Sequence, residues 1–183
     1  MDEIVEAALR KWPNVPHCHG WLGLDARGDW YLRDDRAQAA GAFPAVKGSL
    51  IEHEKLRDFI ARNYAHDEAG AWFFQNGPQR VYVELEAAPY VWRLGAAEAG
   101  APAPSIASHI GAAARFRSAQ LDEHGRLFLD TDAGYGIVHT LDMEAAADAV
   151  ERGHWSPETV AFADLPARFG YLLRADAPAS QPP

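Results

Sequence analysis

The sequence is poor in the residues that build covalent or metal-bound frameworks. Its 183 residues contain a single cysteine, Cys18, which excludes an intramolecular disulfide and a zinc or iron–sulfur centre built from several cysteines. No apolar run approaches the roughly 20 residues that a membrane-spanning helix needs, and the start Met1-Asp2-Glu3 lacks the basic segment of a secretory signal. We therefore expect a cytoplasmic protein that contacts no membrane.

Positive charge is also scarce. Lysine and arginine number 17 against 26 aspartate and glutamate residues, which gives a net charge of −9 at pH 7. A phosphate backbone repels a chain of this charge, so nucleic acid is not an expected partner. The sequence also lacks the glycine-rich dinucleotide and P-loop motifs, the H-E-x-x-H zinc motif and the G-x-S-x-G nucleophile motif. We expect no cofactor and no catalytic residue of these classes.

Apolar segments between turns make up much of the remaining sequence. Strands are predicted at residues 72–74, 81–85 and 90–94, which are rich in aromatic and β-branched residues. A helix is predicted over residues 50–64, because Ser49 and Glu52 have the spacing of a capping box. Hairpin strands combined with separate helices indicate the α+β class.

Two predicted hairpins share a sequence pattern, which suggests an internal repeat. Leu24, Asp25, Gly28 and Leu32 recur in the same order as Leu121, Asp122, Gly125 and Leu129. The alternative is that unrelated hairpins reach the same turn chemistry independently. The pattern predicts two pseudo-repeated halves, each a curved antiparallel sheet with a packed helix. They are an N-terminal α+β half at 1–94, a linker rich in alanine, glycine and proline at 95–111, a C-terminal α+β half at 112–174, and a disordered tail at 175–183.

Three segments of the first half resemble a known family. They are Gly28-Asp29-Trp30-Tyr31, Trp72-Phe73-Phe74 and Val83-Glu84-Leu85-Glu86-Ala87-Ala88-Pro89-Tyr90. These segments are similar to the G-x-W hairpin, an aromatic strand and the V-E-D-A-P-aromatic strand pair of a bacterial domain-of-unknown-function family with two repeated α+β motifs. The whole chain is also similar to uncharacterised proteobacterial proteins of this length. Ala87 replaces the acidic residue that the family has before Ala-Pro. The resemblance implies a repeated α+β fold and a role in regulation or signalling, with no catalytic residues to carry over.

The segment His17-Cys18-His19 is the sharpest candidate for chemistry. In an extended chain, residues two apart point the same way and lie about 7 Å apart, so two imidazoles are able to bind one metal ion. Further ligands must come from distant positions, and the candidates are His53, Glu54, His109 and His139. The hypothesis is a metal-dependent hydrolase or other enzyme centred on His17 and His19. The alternative is two partly exposed histidines before a strand.

Aromatic residues on the predicted strands carry the leading hypothesis. The candidate binding surface consists of Trp30, Trp72, Phe74, Tyr90 and Trp92. Because side chains alternate along a strand, these aromatics reach both faces of a sheet, and one face is then open as an apolar groove. The sequence predicts a non-enzymatic binding or regulatory module for a protein or small-molecule ligand. Two alternatives remain open: the second half covers this face internally, or a second copy covers it in a homodimer.

Overall fold

Residues 1–96 and 103–176 are described by a computed structural model. They divide into two compact units, and the chain passes from the first to the second between Glu86 and Ala87. Asp25–Asp29 also belongs to the second unit, and the described residues from Leu172 on belong to the first. The predicted boundary after residue 94 was therefore wrong, because the strand predicted at residues 90–94 is the first strand of the second unit.

The described residues of the first unit form three helices and one six-stranded sheet. Its elements are α1 (Glu3–Lys11), β1 (Cys18–Leu24), β2 (Trp30–Leu32), α2 (Asp35–Ala40), β3 (Ser49–Leu50), α3 (Glu54–Arg62), β4 (Tyr64–His66), β5 (Trp72–Asn76) and β6 (Gln79–Leu85). The strand order is β3-β2-β1-β6-β5-β4. All neighbours are antiparallel except the central pair of β1 and β6, which is parallel.

The second unit is built on a seven-stranded sheet. Its elements are β7 (Tyr90–Gly95), β8 (Ser105–Ser108), β9 (Ala113–Ala114), β10 (Phe116–Leu121), β11 (Leu127–Thr131), β12 (Gly134–Val138), α4 (Met143–Glu151), β13 (Glu158–Thr159) and α5 (Leu165–Phe169). The strand order is β13-β10-β11-β12-β7-β8-β9. One residue, Arg115, separates β9 from β10, although these strands lie towards opposite ends of the order. The sheet therefore curls to bring its two ends together.

The predicted linker and tail fall partly outside the described residues. Within the range 95–111, β8 forms antiparallel pairs with β7 and β9, so part of the predicted linker is a strand of the second sheet. Only one residue of β8, Ile106, has a large apolar side chain, and this side chain is buried in the core. The burial of that one side chain packs the strand although its other residues are small. Residues 97–102 of the linker and 177–183 of the predicted tail lie outside the described residues.

The two units share one strand arrangement. In each, a three-stranded antiparallel meander runs from the centre of the sheet to one edge, and a second meander runs back to the centre from the other side. The second meander starts at the edge strand β4 in the first unit and at β10, next to the edge strand β13, in the second. The first strand of the first meander pairs in parallel with the last strand of the second, as β1 with β6 and β7 with β12. The α+β fold with two similar halves is thus confirmed. The sheets are mixed rather than purely antiparallel, because two meanders joined in this way meet in a parallel pair.

Helix α3 begins later than its sequence pattern predicts. Ser49 lies in β3, and the helix is instead capped by His53, whose Nδ1 accepts a hydrogen bond from the backbone N–H of Leu56 at 3.3 Å. The predicted cap residue Ser49 instead pairs with Leu32 in a short strand. None of the described helices is long and apolar enough to cross a membrane.

Candidate functional site

The aromatic residues predicted to form a binding surface lie mainly in the interior. Trp30, Trp72, Phe74 and Trp92 are all buried, Trp92 completely, and Tyr90 is half-buried. The prediction of an open aromatic face was therefore wrong. In both units, consecutive residues of a central strand are buried, as in the run Leu127, Phe128 and Leu129 of β11. Both faces of those strands are therefore covered. Aromatic side chains that alternate between the two faces are buried on each of them, and neither face is left open as a groove.

A cleft of about 540 Å³ lies in the first unit and contains the histidine segment. Its lining includes Pro16, His17, His19, Asp67, Ala69, Ala71, Tyr82, Leu172, Ala175 and Asp176. His17 immediately precedes β1 and His19 lies at its start, whereas Tyr82 comes from β6 and Asp67 from the turn between β4 and β5. The parallel pairing of β1 with β6 brings the first three residues together, because Cys18 lies opposite Val81.

Both imidazoles pack on the ring of Tyr82. His19 stacks on it with ring centroids 4.7 Å apart and an angle of 17° between the planes, whereas His17 meets its edge at 5.9 Å and 75°. The pairing of β1 with β6 is irregular between Cys18 and Leu22, and Gly20 there has a φ of +78°. The backbone bends at this point, and the two imidazoles lie on either side of Cys18 against a single aromatic ring.

Asp67 holds the hydroxyl group of Tyr82. The Oδ2 atom of Asp67 accepts a hydrogen bond from the tyrosine hydroxyl at 3.0 Å, and Oδ1 accepts two more from the backbone N–H groups of Ala69 and Ala71, each at 3.0 Å. The proton of the hydroxyl is thus directed at the carboxylate. The lone pairs of the Tyr82 oxygen remain available, so this oxygen presents itself to the cleft as a hydrogen-bond acceptor.

The charges that line the cleft are negative. Asp67 and Asp176 contribute carboxylates, and no lysine or arginine is present among the described lining residues. The pKa of His17 is lowered mainly by burial and further by the positive charge of Arg80, so His17 is mainly neutral at pH 7. The Nδ1 atom of His19 is buried and has no hydrogen-bond partner among the described residues. Buried polar atoms without a partner are uncommon and costly, and functional sites are among the places that retain them.

The second unit has the same turn without the cleft lining. Asp67 and Asp122 each begin a turn with a glycine at the fourth position, and the carbonyl oxygen of each aspartate accepts a hydrogen bond from that glycine. The fifth position is Ala71 in the first unit and Arg126 in the second, where the arginine Nε donates to Asp122 Oδ2 at 2.7 Å. Alanine at this position leaves the Oδ2 atom of Asp67 to the tyrosine.

The strand opposite the turn also differs between the units. Phe73 of β5 lies opposite Tyr82, and the corresponding Phe128 of β11 lies opposite Ile137. The polar tyrosine at this register is therefore particular to the first unit. Tyr82 and Ala71 are thus the two positions at which the cleft of the first unit differs from the packed strand pair of the second.

The described part of the chain contains no cluster of side chains that could form a metal centre. Among residues 1–96 and 103–176, no three His, Cys, Asp or Glu side chains are grouped so that they could hold one ion. The predicted further ligands do not line the cleft: His53 caps α3, Glu54 begins that helix, and His109 and His139 lie in the second unit. The described residues therefore supply no third ligand for the metal site predicted at His17 and His19.

Sequence reasoning identified the two histidines but missed Tyr82 and Asp67. Tyr82 lies within a strand whose pattern was already explained by packing, and Asp67 lies in a turn. The long-range pairing of β1 with β6 joins them to the histidines, and no local periodicity encodes such a pairing. One signal was available, because an aspartate three residues before a glycine recurs at Asp25, Asp67 and Asp122.

Comparisons with known proteins give a family but no activity. Residues 1–176 match the model of a family described as "Protein of unknown function (DUF2946)", which confirms the prediction of a domain-of-unknown-function family. No curated protein matches the chain. The chain is similar to a DUF1285 family protein from Silicibacter pomeroyi DSS-3, with 13% identity, a TM-score of 0.48 and coverage of 81% of this chain and 84% of that one. It is also similar to a DUF1285 family protein from Shewanella baltica OS155, with 16% identity, a TM-score of 0.45 and coverage of 70% of this chain and 91% of that one.

Proposed function

The chain belongs to the family described as "Protein of unknown function (DUF2946)", and we propose that it is a non-enzymatic binding module of the cytoplasm. Its cleft between His17, Tyr82 and Asp67 takes a small organic cation. The observation that carries this proposal is a cleft with aromatic and aliphatic walls whose lining charges are carboxylates. The chain has one cysteine, Cys18, and so relies on no internal disulfide, which is typical of proteins from a reducing compartment.

The walls and the polar groups favour the same class of ligand. Rings and alanines bury the apolar body of a ligand, and a few convergent polar groups fix its orientation. Here those groups are the Tyr82 oxygen and the carboxylates of Asp67 and Asp176, all of which accept hydrogen bonds. A planar amidinium or ammonium group on an apolar ring satisfies them, and the aromatic faces attract a cation as well. An anion meets two negative charges without a lining cation.

Binding rather than catalysis is favoured by the state of the polar groups. The Tyr82 hydroxyl group already donates a hydrogen bond to Asp67. The tyrosine oxygen therefore acts towards a ligand as an acceptor, and the Asp67 carboxylate is already hydrogen-bonded. The two oxygens of Asp67 together accept three hydrogen bonds, and a base that is so fully engaged is poorly suited to abstract a proton.

The test uses three probes with the same aromatic ring and different charge. Benzamidine, benzyl alcohol and benzoate are each titrated into the full chain, and binding is measured by NMR chemical-shift perturbation of the His17 and His19 imidazoles. We expect saturable binding of benzamidine, weaker binding of benzyl alcohol and none of benzoate. Absence of saturable benzamidine binding, or equal binding of benzoate, contradicts the proposal.

A blocking variant with a matched control locates the binding. Ala69 and His124 are exposed and occupy the third position of equivalent turns in the two units. We expect Ala69→Phe to weaken benzamidine binding by about tenfold or more, because the new ring fills the cleft. His124→Phe adds the same kind of ring outside it and leaves binding unchanged. If the two variants behave alike, the cleft is not where the probe binds.

A further inference from the structure

We propose that the first unit has a second binding site, for a single oxyanion group, at the cavity between Arg33 and Arg174. The cavity has a volume of about 270 Å³ and is lined by Arg33, Gln38, Gly41, Ala42 and Arg174. Its lining differs in chemistry from that of the histidine cleft, because two guanidinium groups and an amide replace carboxylates and aromatic rings. The proposal is independent of the function assigned to that cleft.

Arg33 is a buried cation with one donor to spare. Its side chain is 2% exposed, and its Nε, Nη1 and Nη2 atoms donate to the carbonyl oxygens of Val46, Gly20 and Gly41 at 3.2, 3.4 and 2.6 Å. The Nη1 atom also donates to Oε2 of Glu84. A guanidinium group has five N–H donors, and these four hydrogen bonds leave one N–H of Nη2 without a partner among the described residues. An unsatisfied donor on a buried charge is an unfavourable state that an acceptor in the cavity relieves.

Arg174 adds a second cation that is only loosely held. Its Nε atom lies 3.0 Å from Oε1 of Glu84, but the arrangement is not that of a hydrogen bond, since this oxygen has no hydrogen-bond partner among the described residues. The arginine side chain is 64% exposed whereas that of Glu84 is 6% exposed. The terminal nitrogens of Arg174 are therefore free to turn towards a ligand while the carboxylate keeps it near the cavity.

The charge balance of the triad selects an anion. Two guanidinium groups share one carboxylate, which leaves one positive charge in excess at a partly enclosed cavity of a chain with net charge −9. No acidic side chain lines the cavity among the described residues. Planar guanidinium donors match the geometry of carboxylate and phosphate oxygens. The shared chemistry of the ligand is thus one oxyanion, phosphoryl or carboxylate.

The experiment compares two probes at constant ionic strength. Inorganic phosphate and sodium acetate are titrated separately into the full chain, and the Nε–H resonance of Arg33 is followed by ¹⁵N NMR. We expect a saturable shift with one or both probes. A shift with phosphate alone assigns a phosphoryl ligand, and a shift with acetate alone assigns a carboxylate. If neither probe shifts this resonance, the site does not exist.

Two exposed arginines provide the variant and its control. Arg174→Gln removes the loosely held cation, and we expect it to weaken binding of the active probe by about tenfold, because a charge-assisted hydrogen bond is lost. Arg10 is a matched exposed arginine of the same unit, paired with Glu6 and 73% exposed. Arg10→Gln changes the net charge equally and leaves binding unchanged. Equal weakening by both variants would show a general charge effect and overturn the proposal.

Discussion

The stability of the second unit should depend on pH through His109. The Nδ1 atom of this histidine accepts a hydrogen bond from the backbone N–H of Val91 at 3.2 Å, and its own backbone N–H donates to the carbonyl oxygen of Val91 at 2.8 Å. Burial lowers the pKa of His109 to about 3, and the negative charge of Asp25 only partly opposes this shift. The ring is therefore neutral in the folded protein, and a proton on Nδ1 would remove the acceptor that Val91 uses.

The sign and the size of the effect follow from proton linkage. In the unfolded chain the pKa of His109 returns to about 6.5, so below that pH the unfolded state binds a proton that the folded state does not. The free energy of unfolding then falls by about 1.4 kcal/mol for each pH unit below 6.5. Between pH 8 and pH 5, His109 alone should cost about 2 kcal/mol, and the loss is complete only below its folded pKa.

The assay is urea unfolding followed by circular dichroism at pH 8, 7, 6 and 5. The variant is His109→Asn, whose side-chain oxygen replaces Nδ1 as acceptor for the Val91 N–H but does not titrate. We expect the variant to be less stable at pH 8, because it loses ring packing, and to lose about 2 kcal/mol less than the wild type on going to pH 5. A variant with the same pH dependence as the wild type would refute the reasoning, since the proton would then not be taken up at His109.

Two glycine substitutions separate a steric cost from a backbone cost. A Cβ atom at Gly136 would lie 2.5 Å from Nε1 of Trp92 and 2.6 Å from the carbonyl oxygen of Tyr90. We therefore expect Gly136→Ala to lower the free energy of unfolding by roughly 1–3 kcal/mol through overpacking. Urea unfolding measures this change. At Gly125 the added atom meets nothing within 4 Å, but φ is +73°. Gly125→Ala should therefore cost about 1 kcal/mol from strain alone, and Gly125→Asn less, because asparagine tolerates this conformation; an asparagine variant no more stable than the alanine variant would contradict this explanation.

Turns and strands could be predicted from the sequence because their determinants are local. The hairpin around Gly28 and the one around Gly125 both form, each with its glycine at positive φ. The helix start was misplaced for a related reason. The Ser49 side chain is able to cap a helix, but the residue pairs with Leu32 in the sheet instead. Tertiary pairing here outweighs the helix-capping preference of a single side chain.

The candidate site could be predicted only in part, because its residues come from separate elements. The spacing of His17 and His19 drew attention to one end of β1, where the cleft lies. Which residues face them depends on the pairing of β1 with β6, whose strands are far apart in the chain. The aromatic surface failed for a different reason. Alternation along a strand tells which side chains share a face, but it does not tell whether a second layer covers that face, and for Trp72 and Trp92 the face is covered.

The two halves share one strand arrangement, but the hairpins that suggested a repeat do not occupy equivalent places in it. Asp25 lies in the turn from β1 to β2, whereas Asp122 lies in the turn from β10 to β11. The strand order makes β10 and β11 the counterparts of β4 and β5, so Asp67 is the true partner of Asp122. In all three turns the aspartate Oδ1 accepts two backbone N–H groups.

That shared hydrogen-bonding pattern explains why the turns have similar sequences. This turn type favours an aspartate at the first position and a glycine at the fourth wherever it occurs. Sequence similarity between two such turns therefore shows that they have the same conformation, and it does not show that they belong to a repeat. Between the structurally equivalent turns, the sequence similarity extends beyond the turn itself. Asp67-Glu68, Gly70 and Phe73 recur with the same spacing as Asp122-Glu123, Gly125 and Phe128. The two phenylalanines occupy one register of the sheet, opposite Tyr82 in one unit and Ile137 in the other. The two halves keep this phenylalanine but differ at two positions near it, where the first has Tyr82 and Ala71 and the second has Ile137 and Arg126. In the first unit the alanine leaves the Oδ2 atom of Asp67 to Tyr82, which lines the cleft, whereas in the second unit Arg126 donates to the Oδ2 atom of Asp122.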